Sequence, residues 1–84
     1  MIQPLGNAEQ VRIARWCIAR AQRSLGQFET ALATQRELLT ELERVGENDV
    51  YVFEELAENL LALNQPEAAE VYFALAQAEL KVKS

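Results

Sequence analysis

The residues best equipped for chemistry are three carboxylates, Glu54, Glu55 and Glu58, one thiol, Cys17, and four guanidinium groups, Arg12, Arg15, Arg20 and Arg23. Clustered carboxylates can serve acid–base or metal chemistry, and a thiolate can be a nucleophile. Each set lacks a partner it would need. The chain contains no histidine, so neither a Cys/His metal set nor an imidazole base can be assembled. Three acids on one helix face, opposite four arginines, read as solvated or ion-paired. Cys17 without a base reads as a small buried hydrophobe, and a lone cysteine makes no intrachain disulfide. The expectation is a protein that is not an enzyme, with no metal and no cofactor.

Charge is unevenly distributed. Positions 9–25 carry four arginines against Glu9, for +3, whereas 47–58 carry Glu47, Asp49, Glu54, Glu55 and Glu58, for −5. The whole chain stands at −5, which repels phosphate backbones and anionic membranes and points away from both as partners. Half of the 84 residues are hydrophobic and a quarter charged, a globular composition. This length makes one domain, 1–84, with a modest core. No apolar run approaches a bilayer span, and the N-terminus lacks a basic region leading into an apolar core. A cytoplasmic location is expected.

The elements that must hold these residues are helical. After a loose lead-in over 1–6, Asn7 and Gln10 form a capping-box pattern. Val11, Ala14, Ile18, Ala21 and Leu25 then recur at spacings of three and four, which predicts a helix burying that stripe, and Gly26 stops it. A second helix is predicted over about 28–44, with the stripe Phe28, Ala31, Leu32, Gln35, Leu38, Leu39 and Leu42. Gly46 ends it. Asn48 or Asp49 caps a third helix with the stripe Val52, Phe53, Leu56, Ala57, Leu60 and Leu63. Pro66 suits the first turn of a fourth, whose stripe is Ala69, Tyr72, Phe73, Ala76 and Leu80. Nothing alternates as a strand would. Connections of two or three residues make consecutive helices antiparallel neighbours.

The chain repeats itself. Shifting Ile18–Leu42 by 38 residues onto Leu56–Leu80 gives seven identities: Ala19/Ala57, Leu25/Leu63, Gln27/Gln65, Glu29/Glu67, Ala31/Ala69, Glu41/Glu79 and Leu42/Leu80. The repeats cover about 8–45 and 48–83. Repeat detection fixes the architecture before other fold reasoning. The first copy reads Ile18-Ala19, Gly26, Phe28, Ala31, and the second Leu56-Ala57, Asn64, Pro66, Ala69. This pattern resembles the tetratricopeptide repeat: large then small in the first helix, Gly at the turn, an aromatic after it, and Ala early in the second helix. Gln22 and Gln35 depart from it in the first copy, and Asn64 and Pro66 in the second. The spacing exceeds the family's usual one by about a helical turn, placed near 42–46, as in the longer-helix subgroup resembling kinesin light chain repeats. The resemblance implies an all-α fold: two antiparallel helix-turn-helix hairpins stacked as a short right-handed superhelix of four helices. It further implies a protein–protein interaction module. A plain four-helix bundle is the alternative fold.

In this architecture helices one and three line a concave face. The resemblance therefore assigns Ile13, Trp16, Arg20, Arg23, Tyr51, Glu54 and Glu58 to a groove for a protein or peptide segment, with Trp16 and Tyr51 as anchors. Two readings of the arginines stand: they hold a partner's carboxylate, or they pair with Glu54 and Glu58, while Trp16 packs on Tyr51 or the N-terminal segment. Some members hold a peptide's C-terminal carboxylate on this face; Glu54, Glu55 and Glu58 would repel it, so that mode is not expected. Helix four adds a second apolar stripe, with Val71, Leu75, Ala78 and Val82 besides Ala68. A terminal repeat normally needs a cover. The alternative function is accordingly a self-assembling subunit, a homo-oligomer through helix four, or a C-terminal fragment of a longer protein.

Overall fold

The computed structural model describes residues 6–83. Four helices follow one another: α1 (Gly6–Ser24), α2 (Phe28–Arg44), α3 (Val50–Ala62) and α4 (Pro66–Lys83), and no strand occurs among the described residues. The lead-in predicted over 1–6 lies outside the described residues except Gly6. That glycine opens α1, so Asn7 falls inside the first turn and is not its cap. The α2–α3 connection spans 45–49, longer than predicted.

One device closes three helices. Gly26, Gly46 and Asn64 adopt φ of 84°, 73° and 63°, the left-handed conformation that a side chain other than glycine or asparagine resists. The reversal lets the next amide reach back over the last turn. Gln27 N–H donates to the Gln22 carbonyl at 2.8 Å and Gly26 N–H to that of Arg23 at 3.0 Å. The same two bonds recur as Glu47 to Leu42 and Gly46 to Glu43, and as Gln65 to Leu60 and Asn64 to Leu61. This is the Schellman closure, and it satisfies carbonyls the helix leaves orphaned. Asn64 is the residue type that substitutes for glycine here. At the start of α3, the Asp49 carboxylate accepts from Tyr51 N–H at 2.8 Å, so Asp49 is the cap.

The stripes predicted for α2 and α3 are their buried faces. Leu32, Leu38 and Leu42 of α2, Val52, Leu56, Ala57 and Leu60 of α3, and Ala69 of α4 form one apolar cluster. In α4, Ala69 and Ala76 are buried and Tyr72 and Phe73 half-buried, while Leu80 is 51% exposed. Helix α3 packs most extensively on α4, and also on α2; α1 lies on α2, meets α3 along one short row, and does not reach α4. That row ascends: Arg12 faces Glu47, Trp16 faces Tyr51, and Arg20 and Arg23 face Glu55. Helices α1 and α3 therefore run parallel. The short turn at 25–27 makes α1 and α2 antiparallel, and Arg15 on α1 bonds Glu41 and Glu37 on α2. Both hairpins thus point the same way, and their 25–27 and 63–65 corners lie at one end.

The stripe predicted as the core of α1 is not buried. Val11, Ile18 and Leu25 are 49%, 58% and 74% exposed, and Ala14 and Ala21 are exposed with them. The helix docks through a different face, roughly a third of a turn round. Ala19 is its fully buried residue, flanked by Arg12, Arg15, Trp16, Gln22 and Arg23, all half-buried. The cause is the neighbours. Arg15 finds two carboxylates on α2, and Ala19 lets the backbones approach; among the described residues no helix stands on the other side. Cys17, expected to be buried, is exposed for the same reason.

The interior carries polar groups without partners. Both amide atoms of buried Gln35 are unbonded among the described residues, as are Gln22 Oε1 and Asn59 Oδ1; Asn59 Nδ2 donates to the Glu55 carbonyl at 2.8 Å. A buried polar group left unmade costs about 1–3 kcal/mol. Gln35→Leu is expected to stabilise the fold by about 1 kcal/mol, raising Tm by about 4–8 °C in a thermal melt followed by circular dichroism. An unchanged or lower Tm would show that Gln35 is bonded in solution. In the opposite direction, a side chain at Gly26 meets nothing within 4 Å. Gly26→Ala should then lose only the conformational term, about 1 kcal/mol, in the same melt.

Candidate functional site

The row joining α1 to α3 is polar and aromatic. Arg23 makes two parallel bonds to Glu55, Nε to Oε1 at 2.7 Å and Nη2 to Oε2 at 3.0 Å. The Glu55 side chain is only 7% exposed, and Arg20 Nε stands 3.9 Å from its second oxygen. The forked geometry matches a planar guanidinium to a planar carboxylate, which makes such pairs strong and directional. The hydrogen bond to Glu55 is the largest influence on Arg23 and raises its pKa above the ordinary value, against the opposing effect of burial. A raised basic pKa contributes stability that is complete below the unfolded value and is lost only as pH climbs through the folded one. For arginine that window is strongly alkaline, so Arg23 itself gives the pair no switch near neutrality.

Trp16 completes the row. Its Nε1–H donates to the Tyr51 carbonyl at 3.3 Å, and its ring meets the Tyr51 ring edge-on at 6.0 Å between centroids. Arg20 lies over the indole, 5.7 Å from its centroid, a cation–π arrangement. Because α1 touches α3 only here, the two helices leave open space on either side of the row. One hollow, of about 770 Å³, is lined by Ile13, Trp16 and Cys17 of α1, Leu38 and Leu42 of α2, Tyr51 and Val52 of α3 and Leu80 of α4, with Glu9, Arg12, Glu47 and Glu54 among its polar members. A second, of about 400 Å³, is lined by Trp16, Arg20, Arg23, Tyr51, Glu54, Glu55, Glu58 and Phe73.

Of the residues expected in the groove, Ile13, Trp16, Tyr51 and Glu54 line the larger hollow, and Arg20, Arg23 and Glu58 the smaller. Tyr51 is 65% exposed, and Ile13, Arg20, Glu54 and Glu58 are exposed. Glu54 and Glu58 are not the arginines' partners, as one reading had it: Arg20 and Arg23 converge on Glu55. A buried carboxylate draws the guanidinium groups, while its neighbours one and three positions away point to water. Arg12, Leu38, Leu42 and Leu80 were not anticipated as lining residues. Only the offset between α1 and α3, which no local pattern encodes, brings them together. No group of three or more His, Cys, Asp or Glu among the described residues is placed to hold a metal ion, and no described helix is long and apolar enough to cross a membrane. The helix-four stripe, Val71, Leu75, Ala78 and Val82, is exposed.

Arg23→Ala is expected to destabilise the fold by about 3 kcal/mol, because it strands a buried carboxylate; the lower end of what breaking a buried pair costs applies, since Arg23 is partly solvated. Arg20→Ala, at an exposed position, should cost less than about 1 kcal/mol. Urea midpoints of the two variants would measure the difference, and equal losses would contradict the assignment of Arg23 as the principal partner. Searches of family models, curated proteins and solved structures find no match to this chain.

Proposed function

We propose that this chain is a non-catalytic protein-interaction module of the tetratricopeptide-repeat type, which docks an extended protein segment in the groove between α1 and α3. The observation that carries this reading is the larger hollow beside the Trp16–Tyr51 row: apolar at its floor, open to solvent, and walled by two parallel helices. Half-formed aromatic and aliphatic surface of this kind supplies the anchors that dominate interface energy. The internal 38-residue repeat supports it independently, since stacked helical hairpins make concave binding faces.

The charge around the groove indicates the class of segment. Arg12, Arg20 and Arg23 already stand against Glu47 and Glu55, whereas Glu54 and Glu58 face solvent. The net field over the site is acidic, and it favours an apolar anchor flanked by lysine or arginine. Tyr51 and Ile13 are the accessible anchors; Trp16 holds the wall.

The test uses fluorescein-labelled nonapeptides with a central Leu or Phe, flanked either by Lys or by Glu, titrated and followed by anisotropy. The Lys series is expected to bind at least about tenfold tighter, equivalent to 1.4 kcal/mol. Tyr51→Ala, an exposed truncation, should weaken that binding about tenfold with helicity unchanged. No binding of either series at millimolar peptide, or equal affinity of the two, would overturn the reading.

A further inference from the structure

The outer face of α1 is the largest unexplained feature of the molecule. Val11, Ala14, Ile18, Ala21 and Leu25 form an exposed apolar row without a single charge. The repeat shows what kind of surface this is. Shifted by 38 residues, Ala14, Ile18, Ala21 and Leu25 fall on Val52, Leu56, Asn59 and Leu63. On α3 the first three are buried and Leu63 is packed against the core cluster. The row on α1 is thus a stacking face without a neighbour among the described residues. The stripe on α4 fails the same comparison: Val71, Leu75, Ala78 and Val82 fall on Ala33, Glu37, Thr40 and Arg44, which are all exposed on α2. That stripe occupies the solvent side of its repeat.

We infer that the α1 row is covered by the α1 row of a second copy, in an antiparallel, two-fold symmetric dimer independent of the peptide groove. Three features select this occupant. The row alternates large, small, large, small, large at spacings of three and four, the seam of a two-helix contact. Antiparallel pairing sets each bulky residue against an alanine: Val11 opposite Ala21 and Ile18 opposite Ala14, or, one heptad on, Leu25 opposite Ala14 and Ile18 opposite Ala21. A parallel pair would instead stack alanine on alanine and leave gaps, whereas large-on-small layers interdigitate. A two-fold contact also sets the same patch of each copy against the other, and a row without charges meets itself with no like-charge repulsion.

Sedimentation equilibrium of the full chain, from about ten to several hundred micromolar, is expected to show mass rising from one chain to two and no further. Ile18→Glu and, separately, Ala14→Glu should restore a single-chain mass at every concentration, with unchanged helicity because both sites are exposed. Leu75→Glu should leave the dimer intact. A wild-type mass that stays at one chain, or a dimer abolished by Leu75→Glu but not by Ile18→Glu, would overturn the proposal. Orientation is read from Val11→Cys in a Cys17→Ser background. In the antiparallel dimer the two thiol positions lie at least about 15 Å apart along the axis, from a rise of about 1.5 Å per residue, and do not cross-link under mild oxidation. Rapid disulfide formation between copies would overturn the antiparallel arrangement.

Discussion

The geometry of the groove depends on the buried carboxylate of Glu55. A carboxylate so little exposed must be matched, and the match comes from the neighbouring hairpin. Because both Arg23 bonds are short and parallel, α1 is fixed in distance and in rotation relative to α3. Weak contact elsewhere between these helices means that the pair, with the Trp16–Tyr51 edge contact below it, sets how far the walls diverge. A hydrophobic seam would have closed the hollow; a polar tether holds α1 in place without filling the space beside it.

Most of the fold was legible in the sequence, and for identifiable reasons. Glycine at 26 and 46 and asparagine at 64 mark left-handed corners because few other residues tolerate them. The stripes of α2 and α3 read correctly because these helices are covered by their neighbours, so apolar spacing and burial coincide. Helix α1 read wrongly because the two diverge at the end of a stack. Periodicity reports which face is apolar, not which face has a neighbour. The repeat does not separate the two faces: Ile18 falls on Leu56 as Ala19 falls on Ala57, both in the core cluster, and only the neighbours of α1 decide that Ala19 is the buried one.

The candidate site was legible in composition and not in detail. Aromatic and arginine residues off the core stripe of helices one and three lie around the hollows, as their helical positions require. The choice of Glu55 over Glu54 and Glu58 was hidden, since three equal carboxylates differ only in which one the neighbouring hairpin buries. The contribution of Leu38, Leu42 and Leu80 was hidden for a similar reason, as it arises from the angle at which helices from both hairpins meet.

Helix α1 touches α2 broadly, α3 briefly and α4 not at all, and its strongest contacts are ionic. Ala19 is its one buried apolar residue among those described, fewer than in any other helix, which puts it at the low end of the ladder of local opening energies. The other three helices share a core cluster that needs nothing from α1 except the edge of Trp16. One wall of the groove is therefore the segment that detaches first while the remainder stays folded. Amide protons of α1 would exchange ahead of those of α3, and raised salt, by loosening the ion pairs at Arg15 and Arg23, would widen that gap.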